Sequence, residues 1–214
     1  LHESMHNFGL DFSDMDNSIS KNCILNIFKV NSDVNLYESY TEFWAEFMNA
    51  LFCSFFALKD KNNIQEFLSN SEFFINFERT YSFFQLTKAL RFMGLSYTDL
   101  YSKNIHRKSL RETLYKEKTN VLSYYVIKTI LMNNYQDFLF WCSNHNLSLL
   151  QFKKTINNQN EFCKFIERNY KKGTMLEGVE QSQKFLNILY SKNRRHTNNS
   201  YILSNLRMSI CELG

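Results

Sequence analysis

The chain has 214 residues, a formal net charge of +4, and 44% hydrophobic against 21% charged residues, the balance of a soluble globular protein with enough length for one real core. The charge is mild and interspersed, and the densest basic stretch, Lys103 to Arg111, lacks interleaved aromatics, so no nucleic-acid partner is expected. Five widely spaced cysteines form no CxxC pair, which argues against a cysteine zinc site and suits a reducing compartment, and no apolar run reaches the length of a membrane span.

Residues 1–8 read as the end of a helix that Gly9 terminates in the left-handed conformation. Asp, Asn and Ser crowd 10–35, a loop signature around one apolar run, Cys23 to Val30, open to a short helix or a strand. Tyr37 to Leu58 holds neither Gly nor Pro and is apolar nearly all round, which predicts a deeply buried helix. Helical patterns follow over 62–69, 71–93, 96–102, 110–132, 135–144, 148–156 and 159–171. Within them Phe73, Phe74, Phe77, Tyr81 and Phe84 have helical spacing and are expected in the core, while Cys53 and Cys142 read as small core residues. Gly173 and Gly178 bracket an expected break, 179–192 is helical again, and Lys192 to Ser200 reads as a basic surface loop. Tyr201 to Leu213 is open to strand or helix. The class is mainly α.

One motif carries chemistry. His2-Glu3-Ser4-Met5-His6 places two imidazoles at i and i+4 on one helical face, where both reach a single ion. Glu3 lies beside them, placed to take a proton from a metal-bound water, which is why HExxH has this spacing. In a chain of this composition the chance of a random match is on the order of one in a hundred, so the motif is more specific than a lone glycine-rich signature. The competing reading is a surface helix with two solvated histidines. A second feature is the row Glu38, Glu42, Glu46, one face of an otherwise aromatic helix. Carboxylates buried there are costly unless paired or bound to metal; the alternative is a solvated acidic stripe.

The continuation His6-Asn7-Phe8-Gly9-Leu10-Asp11-Phe12 looks like the metzincin pattern as far as Gly9, but position 12 is Phe and Asp11 falls one place early. The stretch Tyr37 to Glu46 instead resembles the second helix of gluzincins, a branch of the zincin metallopeptidases. That resemblance covers about residues 1–48 and implies Zn2+ held by His2, His6 and Glu38, with Glu42 accepting a hydrogen bond from a ligating imidazole. Glu42 or Glu46 as the third ligand stays open. The implied activity is a zinc-dependent peptidase, with Glu3 as the base that serves the attacking water and later the leaving amine. A Tyr, His or Arg joins zinc at the oxyanion. Spacing does not single out that residue: the adjacent pair Tyr124 and Tyr125 is one candidate set, with Tyr124 put forward, and Tyr201 and Arg207 are another, put forward as substrate-binding. His106, His145 and His196 lie in polar surroundings and read as solvated.

The resemblance further implies that 1–58 holds the zinc-site helices and 59–214 the helical remainder of the same catalytic domain. On this reading the chain is the C-terminal helical part of a zincin-like domain, truncated at its N-terminus, since the motif starts at residue 2. The absence of proline and the abundance of Asn, Lys, Phe, Ile and Tyr reflect AT-rich coding, and the chain resembles uncharacterised metallopeptidase-like proteins of large DNA viruses. The expected partner is a peptide or protein substrate, and the expected place is the cytoplasm, of a host if viral, or the virion. The alternative is a non-catalytic helical binding or structural protein that keeps the zincin scaffold. Retention of Glu3 favours the enzyme, because a scaffold without turnover has no need of the base.

Overall fold

Apolar residues at helical spacing run through almost the whole chain. This computed structural model describes residues 1–193 and 200–210, and among them there is no strand. The helices are α1 (His2–Asn7), α2 (Ser18–Ile27), α3 (Leu36–Ala57), α4 (Ile64–Phe92), α5 (Ile105–Leu114), α6 (Lys128–Asn133), α7 (Tyr135–His145), α8 (Ile156–Asn169), α9 (Gly173–Asn193) and α10 (Ser200–Ser204). A 3-10 turn, Tyr97–Leu100, precedes α5, and a π-helical segment, Leu122–Ile127, runs directly into α6.

α3 and α4 form the axis of the molecule, packed on one another across the short link 58–63. Lys61 closes the end of α3 by donating from Nζ to the carbonyls of Phe55, Phe56 and Leu58, and Phe55 O also accepts the Leu58 N–H. Asn63 then starts α4 by accepting the Glu66 N–H. α1 lies on α3, α2 lies between α3 and α8, α6 packs on α3 and α4, and α9 covers α4. One apolar cluster spans these layers, from Met5 and Phe12 through Tyr40, Phe43 and Trp44 to Phe138, Phe162 and Val179. It joins residues on both sides of position 58 into a single core.

Several elements differ from the sequence expectation, each for a local reason. The two patterns 62–69 and 71–93 are one helix, and Ser71 stays inside it by donating its hydroxyl to the Phe67 carbonyl. The pattern 110–132 is interrupted after Leu114, where Tyr115 turns extended, and the Glu117 carboxylate accepts the Leu122 N–H to begin the next helical stretch. The stretch 148–156 is irregular rather than helical up to Thr155, the N-cap of α8; its Phe152 N–H donates to Leu10 O and the buried ring stacks near Phe12. The break falls earlier than expected, at 170–172, and α9 begins at Gly173 and runs on through Gly178; Gly178 is where α9 crosses α4, since a Cβ there would stand 2.5 Å from the Phe83 ring. The aromatic row of α4 is not uniformly core: Phe84 is buried, whereas Phe73 and Phe77 are 64% and 45% exposed. Cys142 is buried and Cys53 half-buried. Much of the expected loop 192–200 and the end of the 201–213 segment lie outside the described residues.

Candidate metal centre

α1 ends because Gly9 adopts φ 61°, a conformation a side chain disfavours, and its N–H closes on His6 O while the Leu10 N–H closes on Met5 O. This turn folds the chain back on its own helix. It delivers Asp11, fully buried at 1% exposure, to His6, whose Nδ1 lies 2.5 Å from Asp11 Oδ2. The other oxygen of Asp11 accepts the Ser13 N–H, so the carboxylate is held from both sides.

The opposite wall is the first two turns of α3. Glu42 is buried, and its Oε2 lies 2.7 Å from His2 Nδ1. Glu38 stands one turn earlier, with Oε2 3.2 Å from His2 Nε2 and 3.7 Å from His6 Nε2. The two Nε2 atoms are themselves 3.2 Å apart, with the rings edge to face. His2, His6 and Glu38 therefore present three ligand atoms all within 4.8 Å of one another.

The hydrogen-bond chemistry decides which way these groups point. Ionised carboxylates only accept, so Asp11 and Glu42 each fix the proton of their imidazole at Nδ1. Each Nε2 then faces the other ring and Glu38. Two ring nitrogens and a carboxylate oxygen facing one point call for a metal cation or a proton between them. Ligand atoms about 2.0–2.1 Å from a tetrahedral zinc ion are about 3.3–3.4 Å apart, which matches the 3.2, 3.2 and 3.7 Å found here. The residues thus fit a divalent metal.

Without a metal, a proton does the same work. Hydrogen bonds to Glu38 and then Glu42 raise His2 to about 9, against the opposing effect of burial. Burial pushes the Glu38 carboxyl up, but hydrogen bonds from His2 and Tyr124 and the imidazole charges outweigh it and hold it below the usual carboxylate range. Tyr124 donates its phenol to Glu38 Oε2 at 2.8 Å. It reaches α3 from the π-helical segment, whose wider turn is anchored by Ser123 donating to Asn35 O at the start of α3. Burial, followed by the bond to Glu38, raises the Tyr124 phenol well above its ordinary value, so it is a permanent donor near neutral pH.

Glu3 lies in the first turn of α1 with its side chain exposed. The row Glu38, Glu42, Glu46 is not a solvated stripe, and it divides: Glu46 leaves the histidines and makes a 2.5 Å ion pair with the fully buried Lys128. That removes Glu46 as an alternative ligand. Burial pushes the Glu46 carboxyl well up, against the pull of Lys128.

Tyr201 and Arg207 are placed elsewhere. Arg207 donates to the Tyr201 hydroxyl, and both line a cavity of about 840 Å³ between α4, α9 and the C-terminal segment, none of whose walls is formed by His2, Glu3, His6 or Glu38. Their expected role at the substrate of the histidine site has no support in this placement. His106 is exposed, His145 stacks on Trp141 with Nδ1 at the Trp141 carbonyl, and His196 lies outside the described residues. The contact of Asp11 with His6 is the part of the candidate site that the sequence did not reveal, and its signal was the turn-forming Gly9 followed two places later by an acid. No protein-family model, curated protein or solved structure matches this chain.

Proposed function

We propose that the chain binds one zinc ion through His2, His6 and Glu38 and hydrolyses peptide bonds, in the manner of the gluzincin branch of zincins. The carrying observation is that each Nδ1 meets a carboxylate, Glu42 or Asp11, which turns both Nε2 atoms toward Glu38. Two neutral imidazoles and one carboxylate, with a fourth position open, are the donor set of catalytic rather than structural zinc sites. Zinc in such a set makes a bound water acidic near neutral pH and polarises a carbonyl oxygen.

The chain's own residues supply the rest. Glu3, exposed and adjacent to His2, accepts the proton of the attacking water and returns it to the leaving amine. Tyr124 offers a phenolic O–H at the edge of the cluster, suited to hydrogen-bond the developing oxyanion. The substrate is a peptide or protein, and the compartment is the cytoplasm, or the virion if the protein is viral. Among the described residues no helix is long and apolar enough to cross a membrane.

One observation favours a second reading, a protein that holds zinc without turnover: the Tyr124 phenol is already engaged by Glu38. Replacement of Glu3 separates the two. Glu3→Gln keeps three ligands and is expected to retain zinc while losing peptide cleavage, because Gln preserves size but cannot take a proton. Metal analysis beside a peptide-cleavage assay reads both. Cleavage by the variant at the wild-type rate removes Glu3 as the base, and zinc binding without cleavage of a broad peptide library by the wild type leaves the second reading.

A further inference from the structure

Away from the histidines, two thiols meet at the packed interface of α2 and α8. Cys163 is buried on α8 and its Sγ reaches the Ser20 carbonyl on α2 at 3.9 Å. Ser20 and Cys23 are three residues apart, hence on the same face of α2. Cys23 is therefore on the side of α2 that Cys163 contacts, and the two thiols perturb one another. The two sulfurs differ in access. Cys23 is half-buried and opens into a cavity of about 500 Å³ lined also by Asn22, Asn26, Glu167 and Tyr170, whereas Cys163 is 1% exposed and is not part of that wall. The neighbouring Cys163 thiol lowers the Cys23 thiol below its ordinary value, over the opposing effects of burial and Glu167. The Cys23 thiol, then burial, raises Cys163 above its own.

We propose that Cys23 and Cys163 form an oxidisable dithiol, in which a small peroxide entering the cavity is reduced and the two helices become joined by a disulfide. The Cys23 thiolate attacks one peroxide oxygen, the O–O bond breaks, and the other oxygen leaves as water after taking a proton. This leaves Cys23 as a sulfenic acid. The Cys163 sulfur then attacks the Cys23 sulfur, the S–O bond breaks, and the hydroxyl departs as a second water with the Cys163 proton. Two thiols and one hydrogen peroxide thus give one disulfide and two waters. Access assigns the order: the reachable sulfur is attacked first and the buried one resolves it. This site is independent of the zinc proposal.

The test uses the full chain, reduced, exposed to one equivalent of hydrogen peroxide, blocked with an alkylating reagent, and mapped by mass spectrometry after proteolysis. The expected result is a peptide pair joined through Cys23 and Cys163, with Cys53 and Cys142 alkylated, and full reversal by dithiothreitol. Cys163→Ser should stop at a sulfenic acid on Cys23 that dimedone traps, and Cys23→Ser should lose the crosslink. Alkylation of both Cys23 and Cys163 in the wild type after peroxide, or a crosslink that instead pairs either of them with another cysteine, overturns the proposal. A sulfenic acid that accumulates on Cys163 in the wild type overturns it as well.

Discussion

At the scale of single residues, the centre depends on groups that touch no ion. Glu42 and Asp11 fix the proton of His2 and His6 at Nδ1, and an imidazole with its proton on the other nitrogen offers no lone pair at Nε2. Glu42→Gln and Asp11→Asn keep the shape of each contact but weaken its hold on tautomer and basicity, so each variant should lose about 10–100-fold in zinc affinity. Competition against a zinc-binding dye measures this, and wild-type affinity in both variants shows that neither carboxylate governs its histidine. The sequence made the first of these pairs readable and hid the second. Glu38 and Glu42 share a face one turn apart, a relation fixed by helical periodicity alone. Asp11 depends on the positive φ of Gly9 to bring it back to His6, and a pattern of letters shows that a turn exists without showing where it aims.

At the scale of elements, the third acid of α3 explains why that helix is acidic without being wet. Glu46 and Lys128 form a buried pair, and Lys128 also donates to Ser82 Oγ and to Met208 O, which ties α3, α4, α6 and the C-terminal segment together. Lys128→Met leaves Glu46 buried without its cation and should cost about 3–5 kcal/mol, whereas adding Glu46→Leu should recover much of that loss. Urea denaturation of the single and double variants checks the sign, and equal losses in both would show that the pair is not the source. Lys128 was out of reach of sequence reasoning because it lies far from Glu46 along the chain, within a stretch read as one continuous helix. The structure divides that stretch at Glu117, and the π-helical segment that follows sends Tyr124 to Glu38. Elements with uninterrupted apolar periodicity, such as α3 and α7, were legible to within a residue or two. Those decided by a distant partner were not: Phe152 on Leu10 and Gly178 against Phe83 are the examples.

At the scale of the whole molecule, the candidate centre pins α1 to α3, so its occupant should influence global stability. In the metal-free chain His2 is raised from 6.5 to about 9, and protonated His2 therefore stabilises the fold fully below pH 6.5 and loses that contribution as the pH climbs through about 9. A metal competes with that same proton, so its benefit should grow across this window as the proton's fades. At a free zinc concentration about 100-fold above Kd the gain is about 2.7 kcal/mol, or about 5–10 °C in Tm for a chain of this size. Melting curves from pH 6.5 to 9 with buffered zinc and with chelator test this, and a zinc increment that shrinks with rising pH contradicts it. The basic stretch Lys103 to Arg111 is partly spent inside the fold, since buried Arg111 donates to the carbonyls of Lys29, Asp99 and Ser102, and Arg107 pairs with Asp99. A zinc ion held by two imidazoles and one carboxylate can be read at the zinc edge by X-ray absorption on the purified, zinc-loaded chain. Expected are one zinc per chain, two nitrogen ligands at about 2.0–2.1 Å, light oxygen neighbours and no sulfur, with His2→Ala and His6→Ala each losing the metal; a chain that takes up no stoichiometric zinc, or one whose zinc has sulfur ligands, would overturn the zinc site.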